Sequence, residues 1–180
     1  MRVPSRQYGR VASYSCDTGY FMEGFSNRTC GESGKWSGDE PICKEILCPA
    51  LQTHHFGSVS PLPYSPQPYG TTIKFTCNMG YKLYGNGAII CQKRGSSGIW
   101  SATQPTCRPV DCGNPGVPSD GAKQGGVYTF GSNVTFQCQP GYKLRGSVQI
   151  QCQATGSWNG SLAQCDACPH NTYKTGLNTE

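Results

Sequence analysis

The sequence predicts an all-β protein built from small, disulfide-rich modules that form an elongated tandem array. Three observations support this fold class. Twelve cysteines in 180 residues are typical of secreted domains that are too small to build an adequate hydrophobic core. The cysteines recur in a fixed internal pattern, and the residues beside them alternate between apolar and polar types. No segment keeps a helical period, so we expect short strands joined by turns.

The repeat starts from three lead cysteines that lie 61 residues apart, each followed after two residues by Gly-Tyr. A second cysteine comes 14 residues after each lead, then a tryptophan, and a last cysteine seven residues after the tryptophan. The members are Cys16, Cys30, Trp36 and Cys43 in the first unit, Cys77, Cys91, Trp100 and Cys107 in the second, and Cys138, Cys152, Trp158 and Cys165 in the third. Chance does not produce this spacing, so the chain contains three related modules.

Each lead cysteine lies at the end of a predicted strand. In the second unit Ile73 and Phe75 alternate with the polar Lys74 and Thr76, and the other two units follow the same pattern. A module of roughly 60 residues buries only about 60% of the surface that its unfolded chain exposes. We therefore expect each disulfide to contribute roughly 3–4 kcal/mol and the repeated tryptophan to pack in the small core.

The net charge of +5 is concentrated in the middle module. Between Cys48 and Asp111 there are five basic residues and one acidic residue, whereas the rest of the chain is nearly balanced. We interpret this excess as an ordinary solvated surface, because only Lys93 and Arg94 are adjacent. The further hypothesis is weak binding of sulfated glycans through Lys74, Lys82, Lys93 and Arg94. No nucleic acid partner is expected at so modest a charge.

The amino terminus lacks the apolar stretch of a signal peptide. No run of about 18 apolar residues offers a membrane span, so we expect no membrane insertion in this segment. An extracellular composition without a signal indicates a fragment, in which Met1 is either a gene-model start or an internal residue.

The repeated pattern resembles the complement control protein module, also called the sushi or short consensus repeat. Four cysteines, an aromatic-x-Cys-x-x-Gly-Tyr turn and Gly-x-Trp before the last cysteine carry the resemblance. It implies a partial module at 1–45 that lacks its first cysteine, complete modules at 46–109 and 110–166, and a further segment at 167–180. The third module departs from the family at Leu162-Ala163-Gln164, where the pattern has a proline before the last cysteine.

Four cysteines can pair in three ways, and their spacing alone does not choose among them. The resemblance implies that the first pairs with the third and the second with the fourth. The implied disulfides are Cys16–Cys43, Cys48–Cys91, Cys77–Cys107, Cys112–Cys152 and Cys138–Cys165. Cys30 then lacks its partner, which should lie upstream of Met1, and Cys168 is unpaired in this fragment.

The last residues look like the opening of the cysteine-rich module found in ephrin receptors and many mosaic proteins. Such a module begins with Cys-Pro and continues with Gly-Thr-Tyr. Here Cys168-Pro169 is followed by Asn171-Thr172-Tyr173, with asparagine in place of the glycine. The resemblance implies that a further module starts at residue 167 and that the natural protein continues past Glu180.

Three sequons, at Asn27, Asn133 and Asn159, predict N-glycans on the first and third modules and leave the middle module bare. This distribution favours the middle module as a contact surface. The proline-rich stretch from Pro61 to Tyr69 is expected to form an extended surface loop. The four-residue linkers at 44–47 and 108–111 are too short to be independent spacers, so their apolar residues should pack at the junctions.

No catalytic pattern is present, since the sequence contains no nucleophile elbow, no phosphate loop and no repeated carboxylate pair. Cys165-x-x-Cys168 has the spacing of a redox motif, but a thioredoxin-type site needs a βαβ context that is missing. A metal site at His54-His55 is not expected, because no acidic residue is nearby. We therefore expect no enzyme activity, no cofactor and no metal.

The resemblance implies a binding function, because the family occurs in complement regulators, adhesion molecules, cytokine receptors, clotting factors and matrix mosaics. We interpret the chain as a non-catalytic binding or spacer segment of an extracellular mosaic protein of the adhesion or matrix type, either secreted or part of an ectodomain. Its partners would be extracellular proteins, with sulfated glycans as a further hypothesis. Two alternatives stay open: a fragment of a complement-regulatory protein, and the non-catalytic stalk of a secreted protease.

Overall fold

The computed structural model describes residues 7–167, and every regular element in that range is a β-strand. This confirms the predicted all-β class of disulfide-rich modules in tandem. Within the same range no helix is long and apolar enough to cross a membrane. The described strands are β1 (Val11–Ser13), β2 (Tyr20–Glu23), β3 (Asn27–Thr29), β4 (Ile42–Glu45), β5 (Leu47–Cys48), β6 (Gly57–Ser60), β7 (Gln67–Pro68), β8 (Thr72–Cys77), β9 (Tyr81–Tyr84), β10 (Ala88–Arg94), β11 (Ser97–Trp100), β12 (Thr106–Pro109), β13 (Gly121–Gln124), β14 (Asn133–Cys138), β15 (Tyr142–Arg145), β16 (Gln149–Gln151) and β17 (Gln164–Ala167).

Contacts between residues divide the chain into two compact units. One unit contains the first module and most of the middle module, runs to Cys77 and resumes over Leu83–Cys107. The other contains the loop Asn78–Lys82 and the described residues from Arg108 onward. This loop joins the second unit because Val110 N donates a hydrogen bond to Gly80 O at 2.8 Å. The module boundaries at 45, 109 and 166 stay predictions.

The middle module is built on a four-stranded sheet with the order β11-β10-β8-β6, beside the strand pairs β12-β9 and β5-β7. In the antiparallel register Ile73 on β8 lies opposite Ile89 on β10. These two isoleucines and Phe75 are buried and form the core, against which Trp100 packs. Trp100 Nε1 also donates a hydrogen bond to Pro49 O at 2.9 Å. The tryptophan therefore ties the core to the start of the module.

The third module repeats this plan with a three-stranded sheet of order β13-β14-β16 and the pair β15-β17. Its buried core consists of Val134, Phe136, Ile150 and Ala163. Trp158 packs against this core, and its Nε1 donates a hydrogen bond to Gly113 O at 3.0 Å. The recurring tryptophan thus has the same structural role in both modules.

The first module has two strand pairs in its described part, β1-β3 and β2-β4. Ala12 and Cys30 are buried there, and a β-bridge joins Cys30 to Trp36. The strand expected to reach Cys16 is shorter than the alternation predicts, because β1 ends at Ser13. In the middle module β6 pairs with β8 as far as the lead cysteine, and among the described residues no strand pairs in this way with β1.

Five disulfides cross-link the described residues: Cys16–Cys43, Cys48–Cys91, Cys77–Cys107, Cys112–Cys152 and Cys138–Cys165. They join residues that are 27 to 43 positions apart, and the chain-entropy model gives bridges of this span roughly 3–4 kcal/mol each. Among residues 7–167 no cysteine pairs with Cys30, which is 1% exposed. Cys168 lies outside the described residues, as does most of the segment 167–180.

The proline-rich stretch is anchored in its middle. Leu62 and Tyr64 are exposed, but Pro63 between them is fully buried. Leu51 N donates a hydrogen bond to Pro63 O at 3.0 Å, which fixes the backbone there. The expectation of an extended surface loop is therefore wrong at Pro63, because the burial of Pro63 and this hydrogen bond hold the backbone against the module.

The linker between the first and middle modules is buried at Ile46, which is 0% exposed. Its backbone bonds in both directions, since Ile46 N donates to Gly19 O at 2.8 Å and Ile46 O accepts from Tyr69 N at 2.9 Å. A Cβ placed on Gly19 would lie 3.6 Å from the Tyr69 ring, so the two modules are in contact beside the linker. The first unit is therefore continuous through this junction.

The linker before the third module makes the same pair of bonds within the second unit. Val110 N donates to Gly80 O, and Phe130 N donates to Val110 O, both at 2.8 Å. The ring of Tyr81 meets the ring of Phe130 edge-on, with 6.2 Å between the centroids. Gly80 has a positive φ of 83°, and a Cβ placed on it would lie 2.2 Å from the Phe130 ring. Only a glycine fits this close approach.

Candidate binding surface

The outward side of the four-stranded sheet is an exposed face of the middle module. Side chains alternate across a strand, so the neighbours of the buried Ile73, Ile89 and Cys91 point away from the core. We term this side the open face and define it by Thr72, Lys74, Ile90, Arg94, Ile99 and Ser101. All six residues belong to the first unit.

Two isoleucines give the open face an apolar centre. Ile90 is 44% exposed and Ile99 is 37% exposed. Ile99 lies opposite Gln92, two residues from Ile90 on the same side, so the two isoleucines are diagonal neighbours with Cα atoms about 7–8 Å apart. The exposed isoleucine pair was not among the predicted site residues. Counting outward by twos from the buried Cys91 would have assigned Ile89 to the core and Ile90 to the surface.

The basic residues predicted to bind glycans are not gathered into one cluster. Lys74 and Arg94 lie on the open face, but Lys74 is opposite Ala88, six residues from Arg94, or about 20 Å along the strand. Lys93 lies on the other side of β10 and donates a hydrogen bond from Nζ to Tyr20 O at 3.3 Å. Lys82 is exposed on β9, in the second unit.

The open face nevertheless lies in a uniformly positive part of the chain. The stretch from Ile46 to Val110 contains no aspartate and no glutamate. The described ion pairs lie in the other two modules, Lys44 with Glu23 at 2.5 Å and Arg145 with Asp166 at 3.2 Å. Lys74 and Arg94 therefore set the sign of the electrostatic potential at the open face.

The three predicted glycosylation sites are all exposed. Asn27 lies on β3 opposite Ser13, whose hydroxyl donates a hydrogen bond to Asn27 Oδ1 at 2.7 Å. Asn133 lies at the start of β14, opposite Gln151. Asn159 Oδ1 accepts a hydrogen bond from Gln151 N at 2.8 Å. The two asparagines of the third module thus flank one residue, Gln151.

The same place in the middle module is occupied by Ile90. Ile90 N donates to Ser101 Oγ at 3.0 Å, and Ser101 N donates to Ile90 O at 2.9 Å. In the third module Gln151 and Asn159 exchange the same two hydrogen bonds. On the other flank Ile90 lies opposite Thr72, which precedes its lead cysteine by the same five residues as Asn133 does. The sheet positions that carry sequons in the third module are therefore bare in the middle one.

A separate feature of the middle module is a cavity of about 410 Å³ beside the two histidines. His54 and His55 lie in its wall together with Phe56 and Cys107. Side-chain donors of His54, Cys77 and Cys107 lie within 4.8 Å of one another, but both sulfur atoms are committed to a disulfide. Thiolate ligands for a metal are therefore not available in this oxidised form.

A family model described as Sushi repeat (SCR repeat) matches the chain three times, over residues 1–43, 48–107 and 112–165. These matches confirm the resemblance found in the cysteine and tryptophan pattern. No comparison supports the ephrin-receptor-like interpretation of the residues that follow. Those residues lie beyond the last match, and from Cys168 onward they lie outside the described range.

Three relatives cover most of this chain. "Sushi, von Willebrand factor type A, EGF and pentraxin domain-containing protein 1" of Rattus norvegicus is 36% identical over 158 residues, which is 88% of this chain and 4% of that protein. E-selectin of Sus scrofa is 32% identical over 89% of this chain and 33% of its own length. Beta-2-glycoprotein 1 of Bos taurus is 32% identical over 93% of this chain and 49% of its own length. The chain thus spans less than half of each relative.

Proposed function

The chain belongs to the sushi repeat family, and from this premise we propose that it is a non-catalytic extracellular binding segment that holds a protein partner on the open face of its middle module. The protein is extracellular. Its five disulfides fit this location, because disulfides form and persist in oxidising environments. The binding surface, the partner class and the larger protein are parts of the proposal.

The observation that carries the proposal is the contrast between equivalent faces of the modules. In the third module two sequons flank Gln151, and in the first a sequon lies on β3. In the middle module the position equivalent to Gln151 is Ile90, an exposed apolar residue without a neighbouring sequon. Exposed apolar residues with a polar surround are typical of protein contact sites, and a glycan there would block contact.

Charge defines the partner as an acidic protein surface. The middle module lacks acidic side chains between Ile46 and Val110, so a carboxylate-rich partner meets no repulsion there. A partner contact would place apolar groups over Ile90 and Ile99 and carboxylates near Lys74 and Arg94. Sulfated glycans are the second candidate, and the separation of the four basic residues favours them less.

The proposed setting is a mosaic protein of the adhesion or matrix type. The name of one relative combines sushi with von Willebrand factor type A, EGF and pentraxin domains, which describes a mosaic protein. A further cysteine-rich module starting at residue 167 would fit such a protein and stays a prediction. The complement-regulatory fragment and the protease stalk are the alternatives, and full-length sequence distinguishes them by the domains that flank this chain.

A glycan added to the open face tests the proposal. Thr72→Asn together with Lys74→Thr introduces a sequon at the position equivalent to Asn133. The chain, made in mammalian cells, is titrated against a panel of recombinant extracellular ectodomains by surface plasmon resonance. We expect an acidic ectodomain to bind the natural chain, and the glycosylated variant to lose at least about tenfold in affinity, because the sugar covers Ile90.

Two controls separate the glycan from its side effects. Lys74→Thr alone removes the charge without adding the sugar, and it should weaken binding only a few-fold, as expected for an exposed charge. Asn133→Gln removes a glycan from the third module and should leave binding unchanged. The proposal is wrong if the partner tolerates the added glycan on the middle module but is lost when another face of the chain is altered.

Heparin chromatography tests the second candidate. If sulfated glycans are the ligand, joint replacement of Lys74, Lys82, Lys93 and Arg94 by alanine should sharply reduce the salt needed for elution. We expect a small reduction, because these side chains do not form one cluster. A large reduction, with no acidic ectodomain bound, would favour the glycan.

A further inference from the structure

Two equivalent disulfides of this chain have different side chains beside the glycine that packs against them. Cys77–Cys107 in the middle module and Cys138–Cys165 in the third module join the lead cysteine to the last cysteine, and all four cysteines are half-buried. A glycine lies against each bridge: a Cβ on Gly57 would be 2.9 Å from Cys107 Sγ. Gly121 has the same relation to Cys165, also at 2.9 Å.

A second side chain lies beside the glycine at each disulfide, and it is a histidine in the middle module and a proline in the third. The Cβ on Gly57 would lie 2.8 Å from His54 Cδ2, whereas the Cβ on Gly121 would lie 2.8 Å from Pro118 Cγ. His54 and Pro118 are both buried. The pair of disulfides is therefore a matched comparison in which an imidazole replaces a pyrrolidine ring.

The imidazole contacts one sulfur atom directly. His54 Nε2 lies 3.1 Å from Cys107 Sγ, and its ring packs against Phe75 with 5.2 Å between the centroids. His54 is only 8% exposed, so this packing holds the ring in place. A disulfide sulfur carries no hydrogen, so a hydrogen bond across this contact is donated by Nε2–H to Cys107.

We propose that Cys77–Cys107 is a modification site for thiol–disulfide exchange with an external dithiol, such as that of a secreted oxidoreductase, and that His54 assists the reaction. The external thiolate attacks Cys77 Sγ, a mixed disulfide forms, and the Cys77–Cys107 bond breaks with Cys107 leaving as a thiolate. Nε2–H donates its hydrogen bond to this departing anion. A leaving thiol whose anion is stabilised departs faster.

The second half of the reaction completes the exchange. The other thiol of the reagent attacks the reagent's sulfur in the mixed disulfide and releases Cys77 as a thiolate. Both protein sulfurs take up protons from water, the protein disulfide is reduced by two electrons, and the dithiol is oxidised to a disulfide. The site therefore accepts a dithiol as its co-reactant and needs no metal.

Access to the bridge is compatible with such a reagent. Cys107 lies in the wall of the cavity of about 410 Å³, and Cys77 is half-buried rather than enclosed. By contrast Cys48 and Cys91 are 0% exposed, so their bridge is protected from attack. Cys43 of the first module is exposed, so Cys16–Cys43 serves as a reference for what exposure alone allows.

The test is a rate comparison on the intact, oxidised chain under native conditions. Samples in limiting dithiothreitol are quenched at intervals with iodoacetamide, and the remaining disulfides are then reduced, labelled with N-ethylmaleimide and quantified by peptide mass spectrometry. We expect Cys77–Cys107 to be reduced about tenfold faster than Cys138–Cys165, the size of effect expected from a hydrogen bond to a charged group. Equal rates for the two bridges would overturn the proposal.

Two substitutions connect the rate to the imidazole. His54→Phe keeps a ring against Phe75 but removes the donor, and it should slow reduction of Cys77–Cys107 to the rate of Cys138–Cys165; an unchanged rate contradicts the proposal. If this variant fails to fold, Pro118→His decides, since it should accelerate reduction of Cys138–Cys165 and no other bridge. This outcome is independent of ligand binding at the open face.

Discussion

Gly80 is a residue whose missing side chain is explained by its neighbour. Its φ of 83° is strained for any residue with a Cβ, and that atom would lie 2.2 Å from the Phe130 ring. Gly141 occupies the same place in the third module, with a φ of 92° and nothing within 4 Å of its Cβ position. Substitutions at the two glycines can therefore separate the cost of backbone strain from the cost of the close contact with Phe130.

We predict that Gly80→Ala destabilises the chain more than Gly141→Ala does. Both variants bear the left-handed strain of about 1–2 kcal/mol, and only the first forces the Phe130 ring to move. Differential scanning calorimetry of the two variants should show a larger fall in Tm for Gly80→Ala. Equal falls would mean that the Phe130 contact adds nothing to the strain.

Residue-scale contacts were the hardest to predict from the sequence. Lys93 and Arg94 are adjacent and looked like a pair, but strand alternation sends them to opposite sides of β10. His54 is buried against Cys107, 53 positions away, and the His54-His55 pair in the sequence gives no sign of this contact. Such contacts depend on which strands meet, and the local pattern holds no information on pairing.

At the scale of elements, β10 shows how far a period-two pattern decides burial. Ile89 is 0% exposed and its neighbour Ile90 is 44% exposed. We predict that Ile89→Ala costs about 2–5 kcal/mol through cavity formation, while Ile90→Ala stays within about 0.5 kcal/mol. Guanidinium denaturation followed by tryptophan fluorescence measures both. Comparable costs for the two would show that the register of β10 differs from the one described.

The strands themselves were largely predictable. Alternation before Cys77 and Cys138 predicted β8 and β14, because one face of each strand must be apolar to cover a small core. The open face was not predicted, since it arises from register: Thr72, Ile90 and Ser101 are far apart in sequence and meet only across three strands. The spacing of turns and cysteines in the sequence identifies the modules. Which side chains are neighbours on the sheet depends on how the strands pair.

At the scale of the molecule, the junction inside the first unit contains one fully buried linker side chain. Ile46 is 0% exposed, whereas Leu47 beside it is 43% exposed. We predict that Ile46→Ala loosens the junction by about 2–5 kcal/mol and that Leu47→Ala has little effect. Local opening exposes the linker to protease, so trypsin should cleave after the exposed Lys44 faster in Ile46→Ala only. Identical cleavage rates in both variants would refute a structural role for Ile46.

The bonds at the two linkers have a consequence for how such chains grow in evolution. At Ile46 and at Val110 the attachment to the next module is made by peptide groups, which every residue except proline supplies in full. The linker N–H donates in both cases to the glycine of the turn after the lead cysteine, and the linker carbonyl accepts from the next module; the turn belongs to the preceding module's own cross-linked frame. A duplicated module therefore already contains the backbone groups that bind it to its neighbour. Tandem copies can then change their surface side chains while the bonds between modules stay the same.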